Sequence, residues 1–298
     1  MRKLAVASGA AGLMVATGAF AHSLDTPTTD AGGVLLVVLP VLLSAALYLL
    51  GLGRHRSSLT VRWRPIAFFA GLAVLAASLL PPLDTWSATS FAFHMTQHEL
   101  LMLVAAPLLV LGRPLPYFLW SLPASWRGAV GNAVRGHVVR TAWRAILNPA
   151  AAWTLHAAVL WVWHAPSFFD AALRRQGVHD LQHLSFLVSA LVFWAALLEE
   201  RVRGRQGAGV LYLFTTTVHT SVLGALLTFA THPWYSAYVD RAPHWGLAPL
   251  EDQQIGGLIM WVPASLVYVG VALFLLARWI VATDSDSARI TAASRTFR

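Results

Sequence analysis

Seven long apolar stretches punctuate the chain, at 34–52, 66–80, 91–112, 149–165, 180–198, 208–231 and 254–280, separated by polar runs rich in Arg, Pro and Gly. A helix needs about 20 mostly apolar residues to cross the hydrocarbon of a bilayer, so each stretch reads as a transmembrane helix. The second is short and is bounded by Pro65 and Pro81-Pro82. The chain opens on "MRKLAVASGAAGLMVATGAFAHS", where Arg2 and Lys3 precede a weakly apolar run and Ala19-Phe20-Ala21 forms an A-x-A cleavage pattern. Residues 1–21 therefore read as a signal peptide cut before His22; retained, they would add an eighth span. The expected fold is all-α: a polytopic bundle of seven transmembrane helices over 22–281, then a polar tail at 282–298 without an apolar period and expected to lack order.

Composition supports a membrane protein. Hydrophobic residues make up 57% of the chain and charged residues only 11%, against roughly 25% charged in soluble domains. So few charges cannot cover a water-facing surface. The net charge of +8 would suit a nucleic-acid partner, but the arginines stand at span ends. Arg54, Arg56, Arg62 and Arg64, then Arg113, Arg127, Arg135, Arg140 and Arg144, then Arg201, Arg203 and Arg205, and finally Arg278, Arg289, Arg295 and Arg298 all fall on one side of the seven-span map. The other side has Arg174, Arg175 and Arg241, with Asp25, Asp30, Asp84, Asp170, Asp180, Asp240, Glu251 and Asp252. The positive-inside rule then places the N-terminus outside and the C-terminus in the cytoplasm of a plasma (inner) membrane protein. Trp86, Trp161, Trp163, Trp234 and Trp245 near outer ends, and Trp63 and Trp279 near inner ends, form the expected aromatic belts. The inner loop "WSLPASWRGAVGNAVRGHVVRTAWRAIL" at 120–147 mixes Trp, Val and Arg. It reads either as an amphipathic helix on the anionic leaflet or as a basic loop that enforces topology.

The candidate chemistry lies in histidine. The pentapeptide "HMTQH" at 94–98 and "HDLQH" at 179–183 share the pattern His-x-x-Gln-His. Both open spans that enter from the outer side. Residues four apart share a helix face, so His94 pairs with His98 and His179 with His183, each about 6 Å apart along the axis. Imidazoles are costly against lipid, so both faces should turn inward and converge, as facing helices do in bundle metal sites. His164 and His232 end the fourth and sixth spans, just before Pro166 and Pro233. His156 and His219 lie deeper, within "HAAVL" and "HTSVL", so spans three–four and five–six resemble a parallel repeat. The chain has no cysteine, which leaves imidazole, thioether and carboxylate as ligands. Imidazole suits copper, zinc and iron, and Met102, four residues after His98, adds a soft sulfur that favours Cu(I). Glu99, Asp180, Gln97 and Gln182 are placed to orient the imidazoles, and Asp252-Gln253-Gln254 brings another carboxylate to the same level. Asp252 also reads as a hydrogen-bonding lock between helices.

"FHMTQHELLMLVAAPLLVLGRP" (93–114), "WVWHAPSFFDAAL" (161–173), "VHDLQHLSFLVSALVFW" (178–194) and "LEDQQIGGLIMWVP" (250–263) resemble the CtaG-type cytochrome c oxidase assembly factors, polytopic proteins associated with caa3-type oxidases. The resemblance covers most of residues 90–265. It implies maturation of a terminal oxidase, with copper handled on the outer face and taken from an extracytoplasmic (periplasmic) copper donor, and oxidase subunits as partners. The family's histidine motifs fall on His94, His98, His164, His179 and His183, and its Asp-Gln motif on Asp252 and Gln253.

Together these features predict a non-enzymatic assembly factor. Copper would be held by His94, His98, His179 and His183, with His164 as a fifth ligand or gate and Met102 as a soft ligand. His156, His219, His232, Glu99, Asp180, Asp252 and Gln253 would support them. Two rivals remain at this point: a haem-binding membrane electron carrier, since paired histidines on facing helices also suit haem, and a metal-free scaffold for oxidase subunits. Nucleic acid is not an expected partner. Hydrolysis finds no motif: there is no phosphate-cradling glycine loop, and "HELLM" at 98–102 lacks the second histidine of a zinc-protease helix.

Overall fold

A computed structural model describes residues 31–54, 62–202, 206–239 and 245–296. The signal-peptide reading at 1–21 and His22, His55 and His244 lie outside the described residues. Every apolar stretch forms a helix. These are α1 (Ala31–Arg54), α2 (Trp63–Leu79), α4 (Phe91–Gly112), α8 (Pro149–His164), α10 (Gln176–Val202), α11 (Gln206–Thr228) and α13 (Pro249–Thr296). Shorter helices connect them: α3 (Leu83–Ser87), α5 (Pro114–Ser121), α6 (Ala124–Arg135), α7 (His137–Ile146), α9 (Pro166–Arg174) and α12 (Ser236–Val239). Among the described residues there is no strand.

Five of the long helices, α1, α4, α10, α11 and α13, are long and apolar enough to cross a membrane alone. The pair α7 and α8, bent by 61° at their junction, makes a sixth if it counts as one span. Helix α2 has 17 residues and is thus about 26 Å long, a little less than the ~30 Å hydrocarbon. Helix α13 runs on to Thr296, through residues expected to form a tail without order. No Gly or Pro stands between Arg278 and Thr296, so nothing local breaks the helix.

Local sequence sets the helix ends. Pro114, Pro149 and Pro166 open α5, α8 and α9 at the first turn, where the missing N–H costs nothing. Asn148 caps α8 by accepting from Ala150 N–H and Ala151 N–H at 3.0 and 3.4 Å. Arg113, at φ 48°, breaks the chain between α4 and α5. The loop at 120–147 folds into α6 and α7. Arg140 and Arg144 lie on one face of α7, while Val138, Val139 and Ile146 are exposed on the other.

Helix α4 is not uniform. Residues Leu100–Ala105 form a π-helical turn, and Ala106 N–H bonds back five residues to Leu101 O. The next N–H in that register belongs to position 107, which is proline and has none. The carbonyl it would have met, Met102 O, instead accepts from Trp194 Nε1 of α10 at 2.9 Å. The widened turn and the indole together fix α4 against α10, just beyond His98.

Helix α13 packs along α11 and against the first half of α4. A Cβ on Gly257 would lie 2.7 Å from Thr228 N, and one on Gly256 would overlap the Phe91 ring. Only glycine allows these approaches, which bring the start of α13 to the end of α11 and to the start of α4.

Candidate metal centre

His94 and His98, one turn apart on α4, are both buried, with ring centroids 4.3 Å apart. His179 and His183 on α10 are 4.2 Å apart. The two pairs face each other: His94 lies 5.3 Å from His179 and 5.8 Å from His183, and His98 lies 5.2 Å from His183. One nitrogen from each of His94, His179 and His183 falls within 4.8 Å of the others, which is ligand spacing for a single ion. His164, at the end of α8, approaches His98 at 6.4 Å. Five imidazoles from three helices thus share one end of the bundle. Phe169 packs 5.1 Å from His94 and Phe186 4.5 Å from His98, walling the cluster with apolar rings.

Hydrogen bonds assign the tautomers of two of these rings. Tyr238 donates its hydroxyl hydrogen to Ser87 O at 2.6 Å, so at 2.9 Å from His94 Nδ1 it accepts. His164 Nδ1 lies 2.7 Å from Leu160 O, and a carbonyl can only accept. In both rings Nδ1 therefore carries the proton and Nε2 presents a bare lone pair. These Nε2 atoms, those of His179 and His183, and both nitrogens of His98 are buried without hydrogen-bond partners. Buried polar atoms are rarely left unpaired, and a concentration of bare imidazole nitrogens is the donor set a metal ion requires. Gln182 is fully buried beside His94.

Polar side chains distant in sequence hold α4 in place. Asp252 of α13 accepts from Ser90 Oγ at 2.7 Å, Phe91 N–H at 2.6 Å and Ala92 N–H at 3.1 Å. It satisfies orphan donors at the helix start, where a carboxylate is also favoured by the helix dipole. Asp252 therefore locks two helices together at the entrance to the cluster. Gln253 Oε1 accepts from Trp234 N–H at 2.6 Å, and its Nε2 stays unpaired. Gln97 turns away from the imidazoles and donates to Ser78 O at 2.7 Å and Asp84 Oδ1 at 3.2 Å.

The other expected residues are dispersed. Asp180 neighbours His179 and accepts from Gln176 Nε2 at 2.9 Å. Glu99 is buried with Oε2 unpaired and lies within electrostatic reach of Tyr268. Met102 falls in the π turn and is buried in the apolar core. His232 is exposed beside Thr231. His156 and His219 lie deeper in the bundle.

The sequence pattern missed Tyr238, Asp84, Phe169 and the Leu160 carbonyl. Asp84, on α3, lies within electrostatic reach of His179. Tyr238 lies within the short α12, whose first turn is held by Asp170 of α9 accepting from Ser236 Oγ at 2.6 Å and Ala237 N–H at 3.2 Å. Its nearest sequence signal is the "WYSAYVD" run, which carries no metal motif.

Residues 46–282, which include every member of the cluster, match a family model described as cytochrome c oxidase caa3 assembly factor. The chain belongs to this family. The chain is also similar to uncharacterized proteins of Mycobacterium bovis and Mycobacterium tuberculosis, each 25% identical over 226 residues, 72% of this chain and 34% of theirs. An uncharacterized protein of Mycobacterium leprae is 25% identical over 255 residues, 80% of this chain and 38% of its own. The chain thus spans about a third of the length of these relatives. No solved structure matches it.

Proposed function

We propose that this caa3 assembly factor is a multi-pass protein of the plasma membrane that binds copper at the histidine cluster and passes it to an oxidase subunit. In this reading seven helices span the bilayer after signal removal, with the N-terminus outside and the C-terminus in the cytoplasm. The asymmetry of the arginines supports that orientation. It puts the cluster on the outer face, where an extracytoplasmic donor can reach it.

The observation that carries the copper assignment is the convergence of His94, His179 and His183 with their Nε2 atoms bare. Three neutral imidazoles suit a cuprous ion, which takes few ligands and adds only one charge to a low-dielectric site. Histidine without cysteine holds such an ion less tightly than thiolate would, which suits a carrier that must release it. His98 and His164 offer the next bare nitrogens, so an ion can move along the cluster by ligand exchange. The protein's part is positioning and exclusion of water, not catalysis of bond-breaking. A haem is a poorer occupant: the imidazoles pack on one another at 4.2–5.8 Å with Phe169 and Phe186 beside them, leaving no slot for a macrocycle.

The test is His98→Ala with His183→Ala in the full chain. Copper in the purified protein is expected to fall at least tenfold, and mature oxidase in the membranes to fall with it. Unchanged copper and oxidase levels would favour a metal-free scaffold.

A further inference from the structure

The segment that joins α5 to α8 carries positive charge alone. No Asp or Glu stands between Glu99 and Asp170, whereas Arg113, Arg127, Arg135, Arg140 and Arg144 all do. Arg127 stacks on Trp120 at 4.3 Å, and Arg135 Nε donates to Gly131 O at 3.0 Å. Arg140 and Arg144, one turn apart on α7, are exposed, and among the described residues neither pairs with a carboxylate. At about 100° of rotation per residue, α7 divides into two arcs. Val138, Val139, Ala142 and Ile146 fall on one, and His137, Arg140, Thr141 and Arg144 on the other. No residue of α7 is buried, and Val138 is 78% exposed. Trp143, at the edge of the apolar arc, packs partly against the core. On α6, Trp126, Val130 and Val134 recur every four residues and are exposed as well. A helix as short as α7 is marginal in water on its own, so its open apolar arc calls for a cover. At its junction with α8 it turns by 61°. With α8 crossing the bilayer, a helix turned that far lies nearer the membrane plane than its normal.

We propose that α6 and α7 form an interfacial anchor that binds anionic phospholipid. The apolar arc of α7 and the Trp126–Val130–Val134 face of α6 lie against acyl chains. Arg140 and Arg144 reach past the apolar arc to the headgroup phosphates, which the guanidinium fork matches. Two arginines on one turn make a full crossing by α7 costly, while a basic segment beside a spanning helix is drawn to an anionic leaflet. The segment is tethered at both ends, through α5 to α4 and directly to α8, so the bilayer surface is its nearest cover. Anchored in this way, α7 fixes the depth of α8, whose far end carries His164 of the cluster. The proposal shares with the copper reading only the orientation, which puts this segment on the cytoplasmic leaflet.

The chain has no cysteine, so a single introduced thiol reports its own surroundings. Val139→Cys marks the apolar arc and Thr141→Cys the polar one, and both positions are exposed, so neither change removes packing. The full chain is placed in nanodiscs of phosphatidylcholine, with or without phosphatidylglycerol, and labelled with a water-soluble maleimide. With phosphatidylglycerol present, V139C is expected to label several-fold more slowly than T141C. A basic residue near an anionic surface is worth about fivefold in partition, so adding R140Q/R144Q should speed V139C labelling by about tenfold or more in those discs. In phosphatidylcholine alone the same pair should change little. Equal labelling of V139C and T141C in both discs would overturn the proposal. So would protection indifferent to phosphatidylglycerol and to R140Q/R144Q, or protection found only in native membranes, which would assign the face to a protein partner. Nanodiscs open both sides of the bilayer, so these outcomes do not depend on orientation; labelling of T141C in right-side-out vesicles reads that separately.

Discussion

At the scale of single residues, the site depends on which imidazole nitrogen carries the proton. Tyr238 holds the Nδ1–H of His94 and the Leu160 carbonyl holds that of His164, so both rings offer Nε2 inward. Outer partners of this kind usually change metal affinity by about 10–100-fold when removed. Tyr238→Phe should therefore weaken copper binding by about that factor while leaving the five histidines in place. Equal affinity in Tyr238→Phe and wild type would show that the tautomer is not set there. The histidine pairs were legible in the sequence because a four-residue spacing fixes a helix face. Tyr238 was not, because its contact with His94 spans 144 positions and a lone tyrosine after a loop carries no pattern. The π turn that holds Met102 carried no sequence signal beyond Pro107. Pro107 was visible, but the bond that ties the π turn to α10 comes from Trp194, 92 positions beyond Met102.

At the scale of helices, α4 is gripped at three points: Asp252 at its start, Gln97 toward α2 and α3, and Trp194 at the π turn. Asp252 is the most exposed to test. Asp252→Asn replaces one acceptor oxygen by an N–H donor that faces either Phe91 N–H or Ala92 N–H. Losing such a bond and burying an unmatched donor costs about 1–3 kcal/mol. The variant should show a lower apparent Tm in detergent together with reduced copper retention, since His94 sits on the first turn of the helix. A fall in neither quantity would mean that α13 does not position α4. The sequence marked every long helix by its apolar run. It did not mark α3, α9 and α12, which are short and are defined by tertiary hydrogen bonds such as Asp170 to Ser236. The basic loop at 120–147 read either as an amphipathic helix or as a topology-setting loop; it is helical, and α7 leaves Val138, Val139 and Ile146 open.

At the scale of the molecule, the chain belongs to the caa3 assembly factor family and folds into apolar helices long enough to cross a membrane, and the cluster supplies its candidate chemistry. The count of spans was the least legible feature. Helix α2, with 17 residues, and the bent pair α7–α8 sit at the length limit, where composition alone does not separate crossing from lying partly in the bilayer. Everything in the proposal turns on whether the converging imidazoles hold an ion. The most direct measurement is metal analysis with an optical and X-ray absorption spectrum of the purified full chain, beside His94→Ala/His179→Ala/His183→Ala. The account predicts bound copper with nitrogen neighbours in the wild type, no Soret band, and at least one equivalent fewer in the variant. A wild-type protein that takes up no copper, or a variant that retains all of it, would contradict the account.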